Sequence, residues 1–171
     1  MKHPAIHGLY AITDPALIPD RQLLPAAEAA LRGGARLLQY RDKTATPAQR
    51  RHRASQLQTL CRQYGALFLV NDDPALAAEI EADGVHIGQS DGGIARARQR
   101  LGPDKIIGVT CHGDLTLAEQ AAEAGADYVA FGRFFPSRTK PQAPPADSAI
   151  LQQARKQLAI PLVAIGGIDA E

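Results

Sequence analysis

The chain sets an amide and two carboxylates, Asn71, Asp72 and Asp73, directly behind the apolar run Ala66-Leu67-Phe68-Leu69-Val70. Five hydrophobic residues in a row read as a strand buried on both faces, the habit of parallel sheets. Hard oxygen ligands at the C-terminal end of such a strand make a candidate Mg²⁺ site. Pro74 follows, where a helix can start, so Asp72 or Asp73 is equally suited to capping that helix. Other polar groups fall at comparable places. Arg41 and Lys43 follow one predicted strand, Asp91 another, and Thr110 a third. Ser137, Thr139 and Lys140 lie in a loop after a fourth, and Gly166-Gly167 after a fifth. Two carboxylates from neighbouring strands can share one Mg²⁺, which keeps waters and takes phosphate oxygens. Cations and hydroxyls around it suit a diphosphate. A glycine turn lets backbone N–H groups approach a second, smaller phosphate. The residue types therefore describe a magnesium–diphosphate site with a phosphate site beside it.

Each piece also has a plainer reading. Arg41 and Asp42 suit a solvated ion pair, Asp91 a helix cap, Lys140 an ordinary loop lysine, and Gly166-Gly167 a tight turn. His86 lies within a predicted strand and reads as a packed or hydrogen-bonded histidine rather than a ligand. Cys111-His112 places a thiol next to an imidazole, but adjacent residues in an extended segment point apart, so nucleophilic cysteine chemistry is not expected. The argument for a site is the placement of these groups at successive strand exits.

The elements that must position them alternate strand and helix. Strands are predicted at 7–12, 35–40, 66–70, 84–87, 105–109, 128–131 and 161–165. Helices are predicted at 23–31, 46–64, 74–82, 93–101, 114–124 and 147–158, with Gly33-Gly34 and Gly65 as stops. Gly33-Gly34-Ala35-Arg36-Leu37-Leu38, Ala82-Asp83-Gly84-Val85-His86-Ile87 and Ala124-Gly125-Ala126-Asp127-Tyr128-Val129 share one grammar, a marked helix end followed by a strand. Self-similar β/α units with short connections argue for a barrel. An open doubly wound sheet would gather its polar residues at one switch point, whereas here nearly every exit is polar. The expected fold class is α/β, a TIM-type (β/α)₈ barrel. Residues 1–171 are expected to form a single (β/α) barrel domain lacking the final β/α unit, apparently truncated after strand seven.

Bulk properties narrow the partners. The 171 residues are 45% hydrophobic and 22% charged, ordinary for a globular protein with a sizeable core. A net charge of +1 gives no reason to expect nucleic acid or a membrane surface. No apolar run approaches a membrane span. Cys61 and Cys111 have no close Cys-x-x-Cys spacing, which argues against a zinc site or disulfide scaffold and fits a reducing cytoplasm. Small molecules are the expected partners, with self-association left open.

Seven spaced segments, in order, carry a resemblance. They are Tyr10-Ala11-Ile12-Thr13-Asp14, Gln39-Tyr40-Arg41-Asp42-Lys43, Asn71-Asp72-Asp73, Gly84-Val85-His86-Ile87-Gly88-Gln89-Ser90-Asp91, Gly108-Val109-Thr110-Cys111-His112, Phe135-Pro136-Ser137-Arg138-Thr139-Lys140 and Ile165-Gly166-Gly167-Ile168. Together the sequence resembles the thiamine phosphate synthase family, a (β/α)₈ barrel family. Its members join a hydroxymethylpyrimidine diphosphate to a thiazole phosphate, giving thiamine phosphate and pyrophosphate. The resemblance implies that Gln39, Tyr40, Arg41, Asp42, Lys43 and Asn71 bind the pyrimidine diphosphate and that Asp72 and Asp91 hold Mg²⁺. Thr110 stands where the family usually has serine, a hydroxyl for the pyrophosphate. Ser137, Arg138, Thr139 and Gly167 match positions at the thiazole phosphate, and Lys140 matches the lysine on the diphosphate. Arg41, Lys43, Thr110 and Lys140 are the implied catalytic groups, acting on the charge of the leaving pyrophosphate. The family's contacts from the loop after strand eight have no counterpart in these residues. Two alternatives stand beside this reading. One is a non-catalytic relative that binds a thiamine precursor. The other is a thiazole-phosphate isomerase on the same scaffold, for which His112 is the evident acid–base candidate.

Overall fold

The computed structural model describes residues 6–136 and 143–168. Seven parallel strands lie in sequence order: β1 Leu9–Ile12, β2 Ala35–Tyr40, β3 Leu67–Asn71, β4 Gly84–Ile87, β5 Ile106–His112, β6 Tyr128–Phe131 and β7 Leu162–Ala164. Helices alternate with them: α1 Leu23–Arg32, α2 Pro47–Gln63, α3 Pro74–Glu79, α4 Gly93–Leu101, α5 Leu115–Glu123 and α6 Ala149–Gln157. A short 3₁₀ turn at Asp20–Gln22, absent from the sequence expectations, precedes α1.

Side chains alternate across each strand and so divide between two layers. Leu38, Phe68, Val70, Val85, Ile107 and Val129 pack outward against buried helix residues such as Ala54, Leu57, Ala118 and Ala154. Leu37, Leu69, Ile106 and Tyr128 pack inward with Ile6 and Tyr10. The inner layer requires a curled sheet. At about 4.8 Å per strand, β1 and β6 would stand about 24 Å apart in a flat sheet. Yet the Tyr10 and Tyr128 rings meet edge to face with centroids 6.0 Å apart. The parallel, sequential, curled sheet is that of a TIM-type barrel.

Polar residues at strand starts account for two of the three repeat units seen in the sequence. Asp83, before β4, accepts the Phe68 N–H of β3 at 2.8 Å, and Asp127, before β6, accepts the Ile107 N–H of β5 at 2.8 Å. Two elements depart from expectation. Strand five runs on through Thr110-Cys111-His112, because it stays paired to β6 past an irregularity in register. Helix α3 stops at Glu79 without a glycine: Glu81 takes φ 57, and its carbonyl is held by the Gln58 side-chain amide at 2.8 Å.

The loop from β2 to α2 is built around Asp42, which is buried. One carboxylate oxygen accepts the N–H groups of Thr44 and Ala45 at 2.9 and 3.0 Å, and the other meets Arg53 of α2 at 2.8 Å. Arg53 also grips Asp20 at 2.7 Å, tying the 3₁₀ turn to the same point. Burial opposes the charge on Asp42, but the hydrogen bonds from Thr44 and Ala45 and the Arg53 guanidinium outweigh it and hold its carboxyl below the usual range.

Two outcomes follow. A Cβ at Gly108 would fall inside the Tyr128 ring, so Gly108→Ala is expected to lower stability by about 1–3 kcal/mol, as overpacking does. An unchanged urea midpoint would refute that. Asp42→Asn is expected to cost about 1–3 kcal/mol at pH 7 by removing a charge-assisted bond to Arg53. Because the folded pKa is depressed, the wild-type advantage is full above the unfolded carboxylate value of about 3.9 and shrinks as pH falls through the folded value. Thermal unfolding of both proteins between pH 7 and pH 3 would show it.

Candidate active site

Parallel strands deliver all their C-terminal ends to one rim. At the end of β1, the Thr13 hydroxyl accepts the Arg41 N–H at 2.9 Å and donates to the Arg41 carbonyl at 3.2 Å, fixing that backbone. Asp14, buried, holds the Arg41 guanidinium through Nη1 at 3.4 Å. The Arg41 Nε–H is buried and has no hydrogen-bond partner among the described residues. An orphaned cationic donor at a strand exit is suited to an anionic oxygen from outside the chain.

The two aspartates after β3 have separate tasks. Asp73 caps α3, accepting the Leu76 N–H at 2.9 Å, and pairs with Arg50 of α2 at 3.0 Å. Asp72 takes the left-handed conformation, φ 59, and its N–H bonds the His86 carbonyl at 2.8 Å. That turn sends its carboxylate toward Lys43, 3.1 Å away, and into hydrogen-bonding reach of Asp91. Asp91 does not cap α4, whose cap residue is Gly92. It accepts the Gly88 N–H at 2.7 Å. Burial raises the Asp91 carboxyl, and the neighbouring Asp72 raises it further. Burial also pushes Asp72 up, but the bond from Asp91 and the Lys43 ammonium bring it below its ordinary value. The two carboxylates thus crowd like charge beside one cation, an arrangement that a divalent ion relieves.

Among the described residues no cluster of three or more His, Cys, Asp or Glu side chains could hold a metal ion. A cation at this place would rest on Asp72 and Asp91. Two carboxylates with substrate phosphates and water completing the shell are what Mg²⁺ commonly takes, so the donor set fits. A cavity of about 620 Å³ opens beside the pair, lined by Asp72, Asp73, Asp91, Arg96, Gln99 and Arg100.

Inside the curl, polar side chains form one continuous chain. Gln39 donates to the Tyr10 hydroxyl at 2.8 Å, and Tyr10 meets the Tyr128 hydroxyl at 2.8 Å. Tyr128 reaches His86 Nδ1 at 2.7 Å, and His86 Nε2 reaches Thr110 Oγ1 at 2.8 Å. The Thr110 carbonyl accepts from the Gln89 amide at 2.6 Å. The sequence marked Gln39 and Thr110 and read His86 as hydrogen-bonded. It gave no role to Tyr10, Tyr128, Thr13 or Asp14. Gly108, opposite Tyr128 in the β5–β6 register, was the available signal.

The remaining expected site residues divide. Asn71 ends β3 half-buried and hydrogen-bonds Asp72. Tyr40 faces the helical layer, and its hydroxyl lies 3.5 Å from Asp42. Alternation along β2 turns Tyr40 away from the inner face that carries Gln39, and Asp42 gives its carboxylate to its own loop. Gly166 and Gly167 adopt φ 100 and 67, with the Phe135 N–H on the Gly166 carbonyl at 3.0 Å. A Cβ at Gly167 would lie 2.5 Å from the Pro136 carbonyl oxygen. Ser137, Arg138, Thr139 and Lys140 lie outside the described residues. Cys111 is buried, and burial pushes its thiol up to about 12, so it supplies no thiolate at neutral pH.

Known proteins resemble the chain over most of its length. Residues 9–171 match the model of the thiamine monophosphate synthase family. The thiamine-phosphate synthase of Alcanivorax borkumensis is 72% identical over 166 residues, covering 97% of this chain and 76% of its own. That of Nitrosococcus oceani is 53% identical over 167 residues, covering 98% and 77%. The chain thus spans about three quarters of these relatives' length. Among solved structures, the thiamine phosphate pyrophosphorylase from Pyrococcus furiosus superposes with a TM-score of 0.84 at 36% identity, covering 94% of this chain and 75% of that one. By family model, identity and fold together, the chain belongs to the thiamine monophosphate synthase family.

Proposed function

We propose that the chain condenses 4-amino-2-methyl-5-hydroxymethylpyrimidine diphosphate with 4-methyl-5-(2-phosphooxyethyl)thiazole, releasing pyrophosphate and forming thiamine phosphate. The observation that carries this reading is the Asp72–Asp91 pair beside Lys43, with the orphaned Arg41 Nε–H at the neighbouring strand exit. Asp72 and Asp91 would hold Mg²⁺, which when bound neutralises diphosphate charge. Arg41, fixed by Thr13 and Asp14, offers a buried donor to a diphosphate oxygen. Lys43, paired with Asp72, adds a second cation. Thr110 offers a hydroxyl. These groups gain most as negative charge gathers on the leaving pyrophosphate, so they favour the transition state over the bound substrate. Substitution through a dissociative path needs no protein nucleophile, in keeping with the protonated, buried Cys111 thiol.

Gln39, buried at the end of β2, is suited to reading the pyrimidine edge. The glycine turn at Gly166-Gly167 is suited to the thiazole phosphate. Ser137, Arg138, Thr139 and Lys140 complete the proposal from sequence resemblance. No helix among the described residues is long and apolar enough to cross a membrane. The two free, buried cysteines suit a cytoplasmic site of action. The close relatives carry the synthase name, and no contact described above favours an isomerase or a non-catalytic binding protein.

Thiamine phosphate formation, followed through its fluorescent oxidation product, tests the proposal. The chain with both substrates and Mg²⁺ is expected to turn over. Asp91→Ala is expected to lose at least about 10²-fold in kcat, the scale of one preorganised electrostatic contact. Equal rates for wild type and Asp91→Ala would remove the metal assignment. Arg41→Lys keeps the charge but removes the Nε–H, and is expected to cost about 10-fold or more, since a bidentate or directed guanidinium contact is not replaced by an ammonium. An unaffected Arg41→Lys would show that the buried Nε does not meet substrate.

A further inference from the structure

The inner chain of polar side chains has a direction. Gln39 Nε2 donates to the Tyr10 oxygen. Each hydroxyl has one proton to give. The Tyr10 and Tyr128 oxygens lie 2.8 Å apart, and Tyr128 lies 2.7 Å from His86 Nδ1. With Tyr10 already accepting from the amide, the order in which Tyr10 donates to Tyr128 and Tyr128 donates to His86 gives each of these hydroxyls an acceptor. An imidazole that accepts at Nδ1 and is neutral carries its proton on Nε2. That N–H faces Thr110 Oγ1 at 2.8 Å. Thr110 accepts there, so its own proton is left for the space at the strand exits.

The surroundings hold this order. Tyr128 is fully buried and stacks on His86 with ring centroids 5.6 Å apart. Gln39 and His86 are also buried. Burial pushes the Tyr10 hydroxyl up to about 12 and Tyr128 well above its ordinary value, so both keep their protons at neutral pH.

We infer that Tyr10, Tyr128 and His86 are positioning residues that fix the His86 tautomer and thereby force the Thr110 hydroxyl to act as a donor toward the leaving diphosphate. The inference rests on the reading above that Thr110 meets the diphosphate. The opposite polarity would turn Thr110 lone pairs toward an anion and oppose the reaction. The identity of the group at Gln39, at one end of the chain, would thus be felt at Thr110, at the other.

Histidine-labelled protein tests the chain directly by ¹⁵N NMR, with His86→Gln assigning the signal. Nε2 protonated and Nδ1 bare is the expected tautomer, and the reverse would overturn the inference. Kinetics test its purpose. Thr110→Val is expected to lose about 10²-fold in kcat, as for one oxyanion-type donor. Tyr128→Phe is expected to lose about 10-fold, the scale of a supporting hydrogen bond, with KM for the diphosphate substrate nearly unchanged. In a Thr110→Val background, Tyr128→Phe is expected to have no further effect. His86→Gln, whose amide N–H reaches the Nε2 position, is expected to retain more activity than His86→Leu. Should Thr110→Val be harmless while the expected tautomer is seen, the reading of Thr110 falls and takes the inference with it. Should Thr110→Val be damaging while Tyr128→Phe acts equally in both backgrounds, the reading stands and the inference fails.

Discussion

The hydroxyls of Tyr10 and Tyr128 come from strands five places apart and meet at hydrogen-bond distance. Tyr128 is fully buried and Tyr10 half-buried, so the bond between them meets part of the hydrogen bonding that burial demands. Their neighbours extend the dependence to Gln39 and His86. A flatter sheet would pull these groups apart and leave polar atoms stranded. Curvature and polar satisfaction therefore stand or fall together, and curvature brings the strand exits round a common centre. Every charged group at the rim inherits its place from that arrangement.

The rim holds its charges in graded fashion. Asp42 and Asp73 are bound into backbone N–H groups and arginines and serve the scaffold. Asp72 and Asp91 face each other, with an exposed lysine on Asp72 and one backbone N–H, that of Gly88, on Asp91. The first set is saturated, while the second keeps lone pairs for a ligand. Arg41 shows the same division within one side chain, with one nitrogen on Asp14 and another without a partner among the described residues.

Much of this was legible in the residues. Apolar runs and glycine stops located the seven strands and six α-helices of the described residues, because periodicity and turn chemistry act locally. Strand ends were less legible. β5 continues past Val109 because a neighbouring strand keeps pairing with it, and pairing is not written in either strand alone. Which of Asp72 and Asp73 caps α3 was also not legible, since it turns on a left-handed φ at the non-glycine Asp72. The contact between Tyr10 and Tyr128 was not legible, because the two residues are more than a hundred positions apart in sequence. Composition could not distinguish the inward Gln39 from the outward Tyr40 until the sheet's inner face was known.

Helix α2 never enters the rim, yet two of its arginines reach it. Arg50 holds Asp73 behind β3, and Arg53, one turn on, holds Asp42 behind β2. The helix is thus a splint across two adjacent loops, one carrying Lys43 and the other Asp72. Sliding α2 by one residue would drag both loops together, so the spacing between the Lys43 ammonium and the Asp72 carboxylate is set by the pitch of a helix on the far side of the sheet. Exposed positions on that helix are free to drift, while the interval between residues 50 and 53 is not.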